Sequence, residues 1–266
     1  MIRFLAALAL TTSAAVAQTA PEPAETVMSS QGTGPVALGF TLNGGVATAP
    51  EYFGSVDNEA TPQLGFTVNY LRLGRFELGN PDPLFERRGF GIIGSFRFID
   101  ERNEGADSSL DGLGDVETSV EIGLGVEYVL QNVEAFGAFR YGVIGHDGFV
   151  GELGVDAIMR PTDRLTLRAG PRVNLGDDDF AEEYFGISAS QAASSVAGLP
   201  EFDADGGLIS AGIRVGATYA INDRWGIEGF VLYDELLDDA EDSPISEDDS
   251  SFSAGIGLTR RFTLGF

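Results

Sequence analysis

The chain has 266 residues, 43% of them hydrophobic, and 41 acidic residues against 16 basic ones give it a formal net charge of −25. Every basic residue is arginine; they are too few to neutralise phosphates, which argues against a nucleic-acid partner. With no cysteine, no disulfide staples the fold, so stability must come from one large hydrogen-bonded structure.

Met1-Ile2-Arg3 is a short positive start, Phe4 opens an apolar stretch, and Ala15-Val16-Ala17 is a small-residue cleavage site. This is the pattern of a signal peptide over residues 1–17, and it predicts export. Residues 18–35, rich in Pro, Glu, Ser and Thr, read as a periplasmic tail without fixed structure. Beyond them no segment reaches the roughly 18 to 20 apolar residues of a membrane-spanning helix. The remainder, residues 36–266, carries segments of about 10 to 15 residues parted by polar turns, which is β architecture.

Ten long strands are predicted at about 36–48, 61–72, 88–100, 115–129, 133–145, 148–160, 163–176, 206–220, 224–236 and 251–264. Leu208 to Tyr219 shows the pattern best: Ile209, Ala211, Ile213, Val215, Ala217 and Tyr219 share one face, against Ser210, Gly212, Arg214, Gly216 and Thr218. In 116–128 the apolar face is Val116, Val120, Ile122, Leu124, Val126 and Tyr128, opposite Glu117, Ser119, Glu121 and Glu127. Pro171 cannot donate to a ladder, and a bulge is expected there. Residues 74–87 decide between ten and twelve strands through a short hairpin, Arg75 to Gly79 and Pro83 to Arg87. The chain ends in an amphipathic strand, with Phe262, Leu264 and Phe266 at two-residue spacing.

The connections fall into two kinds. Gln131-Asn132, Pro161-Thr162-Asp163 and Asn222-Asp223 are tight, whereas long loops lie near 49–60, 100–115, 177–205 and 238–250. An outer-membrane barrel puts tight turns in the periplasm and long loops outside. Gly145-His146-Asp147-Gly148 is then a short external loop. Tyr128, Tyr219 and Trp225 flank the tight turns, where an interfacial girdle belongs, beside Arg160, Arg164, Arg224, Arg260 and Arg261. A soluble β-sandwich or lipocalin-like barrel also alternates, but it turns its apolar face inward. The polar minority face here suits a lumen, so the fold class is an all-β antiparallel transmembrane barrel of the outer membrane.

Alternation points Glu117, Glu121, Glu127, Glu152, Asp156 and Glu228 inward with Arg140, Arg168, Arg172 and Arg214. Such mixed charge either pairs across the lumen and closes it, or lines a narrow pore. Long loops such as 177–205 add a second means of obstruction. The acidic loops offer hard oxygen ligands at Asp177, Asp178, Asp179, Asp238, Asp239 and Asp242. Their spacing matches no EF-hand, and a solvated acidic rim is the plainer reading, so no metal and no cofactor is assigned. His146 beside Asp147 invites a Ser-His-acid hydrolase with Ser188 or Ser190, yet nothing in the sequence brings such a serine to it, and no enzyme is expected. Phe180, Tyr184 and Phe185 either bind a partner or pack their loop onto the barrel.

Several blocks, in order, resemble the MipA/OmpV family of outer-membrane proteins. They are Pro50-Glu51-Tyr52-Phe53-Gly54-Ser55, Gly112-Leu113-Gly114-Asp115, Gly145-His146-Asp147-Gly148, and Asp177-Asp178-Asp179-Phe180 through Tyr184-Phe185-Gly186-Ile187-Ser188. Gly198-Leu199-Pro200-Glu201-Phe202, Asp205-Gly206-Gly207-Leu208, Asp239 to Ile245 and Arg261-Phe262 continue the series. Thr263 to Phe266 extend past the family's usual Arg-Phe end, and residues 74–87 are Pro-rich where a regular hairpin is expected. The resemblance implies a barrel, with twelve strands favoured, and a structural or scaffold role between the outer membrane and murein-remodelling enzymes. The founding member links the lytic transglycosylase MltA to a bifunctional penicillin-binding protein; other members are discussed as porins, adhesins or antigens. A narrow porin or small-solute channel with an acidic mouth is the alternative. Expected partners are outer-membrane lipid and lipopolysaccharide and, in the periplasm, a murein hydrolase or synthase.

Overall fold

The computed structural model describes residues 36–79, 88–105 and 107–265. The signal peptide and tail expected over 1–35, the second arm of the hairpin at Pro83 to Arg87, and Phe266 lie outside the described residues. Eleven strands form one antiparallel sheet: β1 Val36–Pro50, β2 Asn58–Leu73, β3 Phe76–Gly79, β4 Gly89–Ile99, β5 Ser119–Val129, β6 Val133–Ile144, β7 Phe149–Thr162, β8 Leu165–Gly176, β9 Gly207–Ala220, β10 Trp225–Leu236 and β11 Ser250–Gly265. The order around the sheet is β3-β2-β1-β11-β10-β9-β8-β7-β6-β5-β4. Each strand therefore pairs with its sequence neighbours, except that β1 also takes β11, which joins the two ends of the chain, and that β3 and β4 stand at the two ends of the order without pairing among the described residues. The sheet curls until β4 lies beside β2, where a Cβ on Gly94 would meet the Phe66 ring at 3.3 Å.

The ten long strands stand within a few residues of where the alternation places them, β5 starting four residues later than expected, and β3 is the first arm of the short hairpin. Among the described residues no helix is long and apolar enough to cross a membrane. The faces are inverted relative to a soluble protein. Val46, Leu64, Ile122, Leu124, Phe139, Leu153, Ile213 and Ile256 are exposed on the outside, while Ser119, Glu121, Glu127, Arg140, Asp156 and Arg172 are buried within. Such a molecule is stable only where the surrounding solvent is hydrocarbon and the interior is polar. Tyr128, Tyr219 and Trp225 project outward near the tight turns, and Phe139, Tyr141 and Phe149 stack outward near the opposite end.

Pro171 departs from expectation. It stands opposite Ile213 in β9 without a bulge, and the register with β7 is the same on both sides of it. The bulge lies instead between Asn174 and Leu175, where β8 bends into the external loop.

The loops are more structured than their acidic composition suggests. Residues 177–206 contain α1 Asp178–Phe185 and α2 Ala189–Ser194, and α3 Asp239–Asp242 lies in the β10–β11 loop. Asp177 caps α1 by accepting from the Phe180 amide, and Asp178 and Asp179 sit in its first turn, where the helix dipole favours negative charge. Ser188 and Gln191 close a capping box on α2.

Candidate functional site

Two structures occupy the inside of the barrel: a lid folded from the external loops, and a lattice of charges on the walls below it. The lid forms because its helices carry apolar side chains that lipid does not cover. Phe180, Ala181, Tyr184 and Phe185 of α1 are buried with Val116, Ala204 and Ala240, against the strand residues Val150, Ile209 and Leu236. Phe53 from the β1–β2 loop stacks edge-on with Phe180 and Tyr184. A second cluster joins Tyr52, Leu110, Leu113, Ile187 and Ile245, so every long external loop contributes. Ser243 Oγ donates to the Phe185 carbonyl at 2.6 Å, and Gln191 Nε2 donates to the Leu113 carbonyl at 2.9 Å. Arg102 is buried and donates to the Tyr184 carbonyl at 3.0 Å, and burial pulls its guanidinium below the usual arginine range. Burial also pushes the Tyr184 phenol up to about 12, as it does that of Tyr52, near Glu247 and Asp107.

Below the lid, Glu121 is the centre of the lattice. A register shift between Val120 and Glu121 breaks the β5–β6 pairing, and a bulge of this kind re-aims a side chain. The fully buried carboxylate of Glu121 pairs with Arg97 of β4, with Arg140 Nε of β6 at 2.9 Å, and with His146 Nε2 at 3.3 Å. From Arg140 the chain of charges runs to Glu152 at 2.9 Å, then to Arg172, whose two terminal nitrogens grip both oxygens of Asp156 at 2.9 Å each. Farther round, Arg168 lies 3.5 Å from Glu134, Gln63 donates to Glu228 at 3.2 Å, and Arg214 lies over the Phe230 ring at 3.8 Å. An inward charge in this narrow space needs a partner or water, and neighbouring strands carry opposite signs in step.

Among the described residues, cavities lie above and below the lattice. The upper, of about 360 Å³, lies between lid and lattice, and the lower, of about 230 Å³, is lined by Glu134, Asp156, Arg168 and Glu228. Arg172 and Arg214 border both.

Glu121, Glu127, Arg140, Glu152, Asp156, Arg168, Arg172, Arg214 and Glu228 are on inner faces of strands. Glu117 is not: it precedes β5 and is exposed, and Val116 bridges to Arg102 inside the lid instead of facing lipid. The alternation runs four residues past the strand, because the chain leaves the sheet before Ser119. Arg97 was missed, although β4 carries it on the same phase as Gly91, Ile93 and Ser95, opposite the exposed Phe90 and Ile92.

His146 sits beneath the lid with both ring nitrogens engaged. Nδ1 accepts from the Gly148 amide at 3.0 Å, which leaves Nε2 to carry the proton toward Glu121. Ser188 and Ser190 are exposed on α2 and hydrogen-bond within its capping turn. The structure therefore does not assemble them with His146 into a nucleophile-base pair. The acidic candidates are also dispersed: Asp177 caps α1, Asp178 accepts from the Gly206 amide, Asp239 accepts from the Asp205 amide, and among the described residues no three carboxylate or imidazole groups converge. Asp179 and Asp242 are exposed, and Asp238 holds a positive φ ahead of α3.

An apolar exterior, a charged interior, tight turns at one end and long loops at the other define a transmembrane β-barrel of the outer membrane. The family model for the MltA-interacting protein MipA matches residues 42–262, and the chain belongs to that family. YiaT of Escherichia coli (strain K12), described as an outer membrane protein, is 31% identical over 116 residues, which are 44% of this chain and 46% of YiaT. The chain thus spans about half the length of the curated relatives it matches. Solved barrels superpose loosely on it. The translocator domain of autotransporter NalP from Neisseria meningitidis is 14% identical, with 87% of this chain and 90% of that one covered, at a TM-score of 0.41. The COG4313 outer membrane channel from Pseudomonas putida F1 is 9% identical, with 91% and 99% covered, at 0.39.

Proposed function

We propose that this protein is a closed, non-catalytic barrel that anchors murein-remodelling enzymes to the outer membrane through its periplasmic rim. The observation that carries the closed state is the double obstruction of the lumen: the apolar lid and, beneath it, the ion-pair chain from Arg97 through Glu121, Arg140 and Glu152 to Arg172 and Asp156. The scaffold part draws on the family's description as interacting with MltA and on the short rim itself. That rim presents the exposed Arg164, Arg224 and Arg260 on tight turns and strand ends, a fixed pattern of positive charge that suits an acidic partner surface.

A photocrosslinking residue placed at Gln131, Asp163 or Asp223 tests the scaffold in cells. Adducts with a lytic murein transglycosylase or a murein synthase are the expected result, and their absence at all three turns sinks this role. The second reading, a narrow channel, draws on the two cavities that meet at Arg172 and Arg214. Planar-bilayer recordings separate the two. The intact protein should be silent and a variant lacking residues 177–205 should conduct in small steps; conductance by the intact protein favours the channel.

A further inference from the structure

Arg260 stands on the lipid side of β11. It shares that side, at two-residue spacing, with the exposed Ile256 and Leu258 and with Phe262 and Leu264. Opposite it in the register is Trp225, the first residue of β10 after the Asn222-Asp223 turn. The guanidinium carbon of Arg260 lies 4.8 Å from the centroid of the Trp225 ring and 4.8 Å from that of Phe262. Phe262 in turn stacks on Phe40 of β1 with centroids 5.1 Å apart, and Phe40 meets Phe66 of β2 at 5.6 Å. A strip of rings thus crosses β2, β1, β11 and β10 with one arginine set into it. Among the described residues the partners of that arginine are rings and no carboxylate.

A guanidinium on the lipid face is costly unless it meets an anion at the edge of the bilayer, and at the periplasmic edge that anion is a phospholipid phosphate. The two rings hold the guanidinium by cation–π contact, and its exposed N–H groups remain to grip phosphate oxygens in pairs. The surroundings are positive: Arg224, Arg260 and Arg261 stand against Asp223, the one carboxylate in residues 219–227 and 257–265. That excess favours a headgroup of net negative charge over a zwitterionic one. We infer that the outer wall of the barrel holds an anionic phospholipid of the periplasmic leaflet, its phosphate on Arg260 between Trp225 and Phe262. Its acyl chains run toward the bilayer centre over Ile227 and Leu258, which pair across β10 and β11 and are both exposed. This inference does not depend on the scaffold role, which the turn residues test.

Trp225 is the chain's only tryptophan, so its fluorescence reads this site alone. The refolded full chain is placed in phosphatidylcholine vesicles, and lipid brominated high on its acyl chains is titrated in with a phosphatidylglycerol, phosphatidylethanolamine or phosphatidylcholine headgroup. Brominated phosphatidylglycerol should quench Trp225 at about one-fifth of the mole fraction that either of the others needs. Arg260→Gln should remove that preference while leaving heat-modifiable migration, the mark of a folded barrel, unchanged. Arg260→Lys keeps the charge without the planar fork and should lose most of the preference. Equal quenching by phosphatidylglycerol and either other lipid in the parent protein overturns the proposal, and so does a folded Arg260→Gln variant that keeps the preference. Full preference in Arg260→Lys also overturns it, since diffuse rim charge then accounts for the effect. Should Arg260→Gln fail to fold, the headgroup series on the parent protein and the lysine variant decide the question.

Discussion

Glu121 shows how much one carboxylate can organise. It takes Arg97, Arg140 and His146 from three different segments, so removing its charge takes from Arg97 its ion-pair partner and leaves Arg140 to Glu152 alone. Glu121→Gln should therefore destabilise the folded protein by about 3 to 5 kcal/mol, the usual result of breaking a buried pair from one side. The urea midpoint of the micelle-folded barrel measures this, and a shift worth less than about 1 kcal/mol would place the pair among solvent-screened ones. Tyr184 gives a pH-dependent counterpart. Its phenol is held protonated to about 12 by burial, above the ordinary value of 10.0. The folded state thus keeps a proton that the unfolded chain gives up first, so the contribution to stability is complete below about pH 10 and is lost as pH rises through about 12. Tyrosinate absorbance should show a late-titrating component that Tyr184→Phe removes. The carboxylate itself was legible in the alternation of β5, but its three partners were not, because they come from separate strands and a loop that only the register brings together.

Strands and lid follow different rules. On the outer face of β5, Leu124 is 67% exposed and meets lipid, so Leu124→Arg should lower folding stability by about 2 to 4 kcal/mol if it lies at the bilayer midplane. Reversible unfolding in lipid vesicles reads that difference, and a neutral outcome would mean that this face does not contact hydrocarbon. On the same strand, Gly123 lies so close to β6 that a Cβ would collide with the Phe139 carbonyl. Gly123→Ala should push β5 and β6 apart and slow the appearance of the heat-modifiable form on refolding; unchanged kinetics would contradict the close approach. The external segments answer to no such period. Their acidic residues read as solvent-facing, and many are, yet Phe180 and Phe185 are almost wholly buried between them. Helix capping by Asp177 and the capping box at Ser188 are local signals that could have revealed α1 and α2. The direction in which those helices fold, into the mouth and not away from it, has no local signal.

At the scale of the whole molecule, the barrel separates two solvents and closes its ends by different means. The periplasmic end closes its strands with short turns, as where Asn222 accepts from the Arg224 and Trp225 amides at 2.9 Å each. The external end is closed by packing, which can be undone without breaking the sheet. That asymmetry is why deletion of 177–205 should open the barrel and leave it folded. The order of the strands, the inversion of the faces and the sidedness of the loops were all present in the amino-acid sequence. A period of two records which side of each strand meets lipid, and turn length records which end each connection occupies. The pairing of the charges, the place of Glu117 outside the lumen, the inward fold of the lid and the chamber beneath it emerged only in three dimensions. They depend on contacts between residues far apart in the chain, and neither periodicity nor composition carries a trace of which distant partner a side chain will meet.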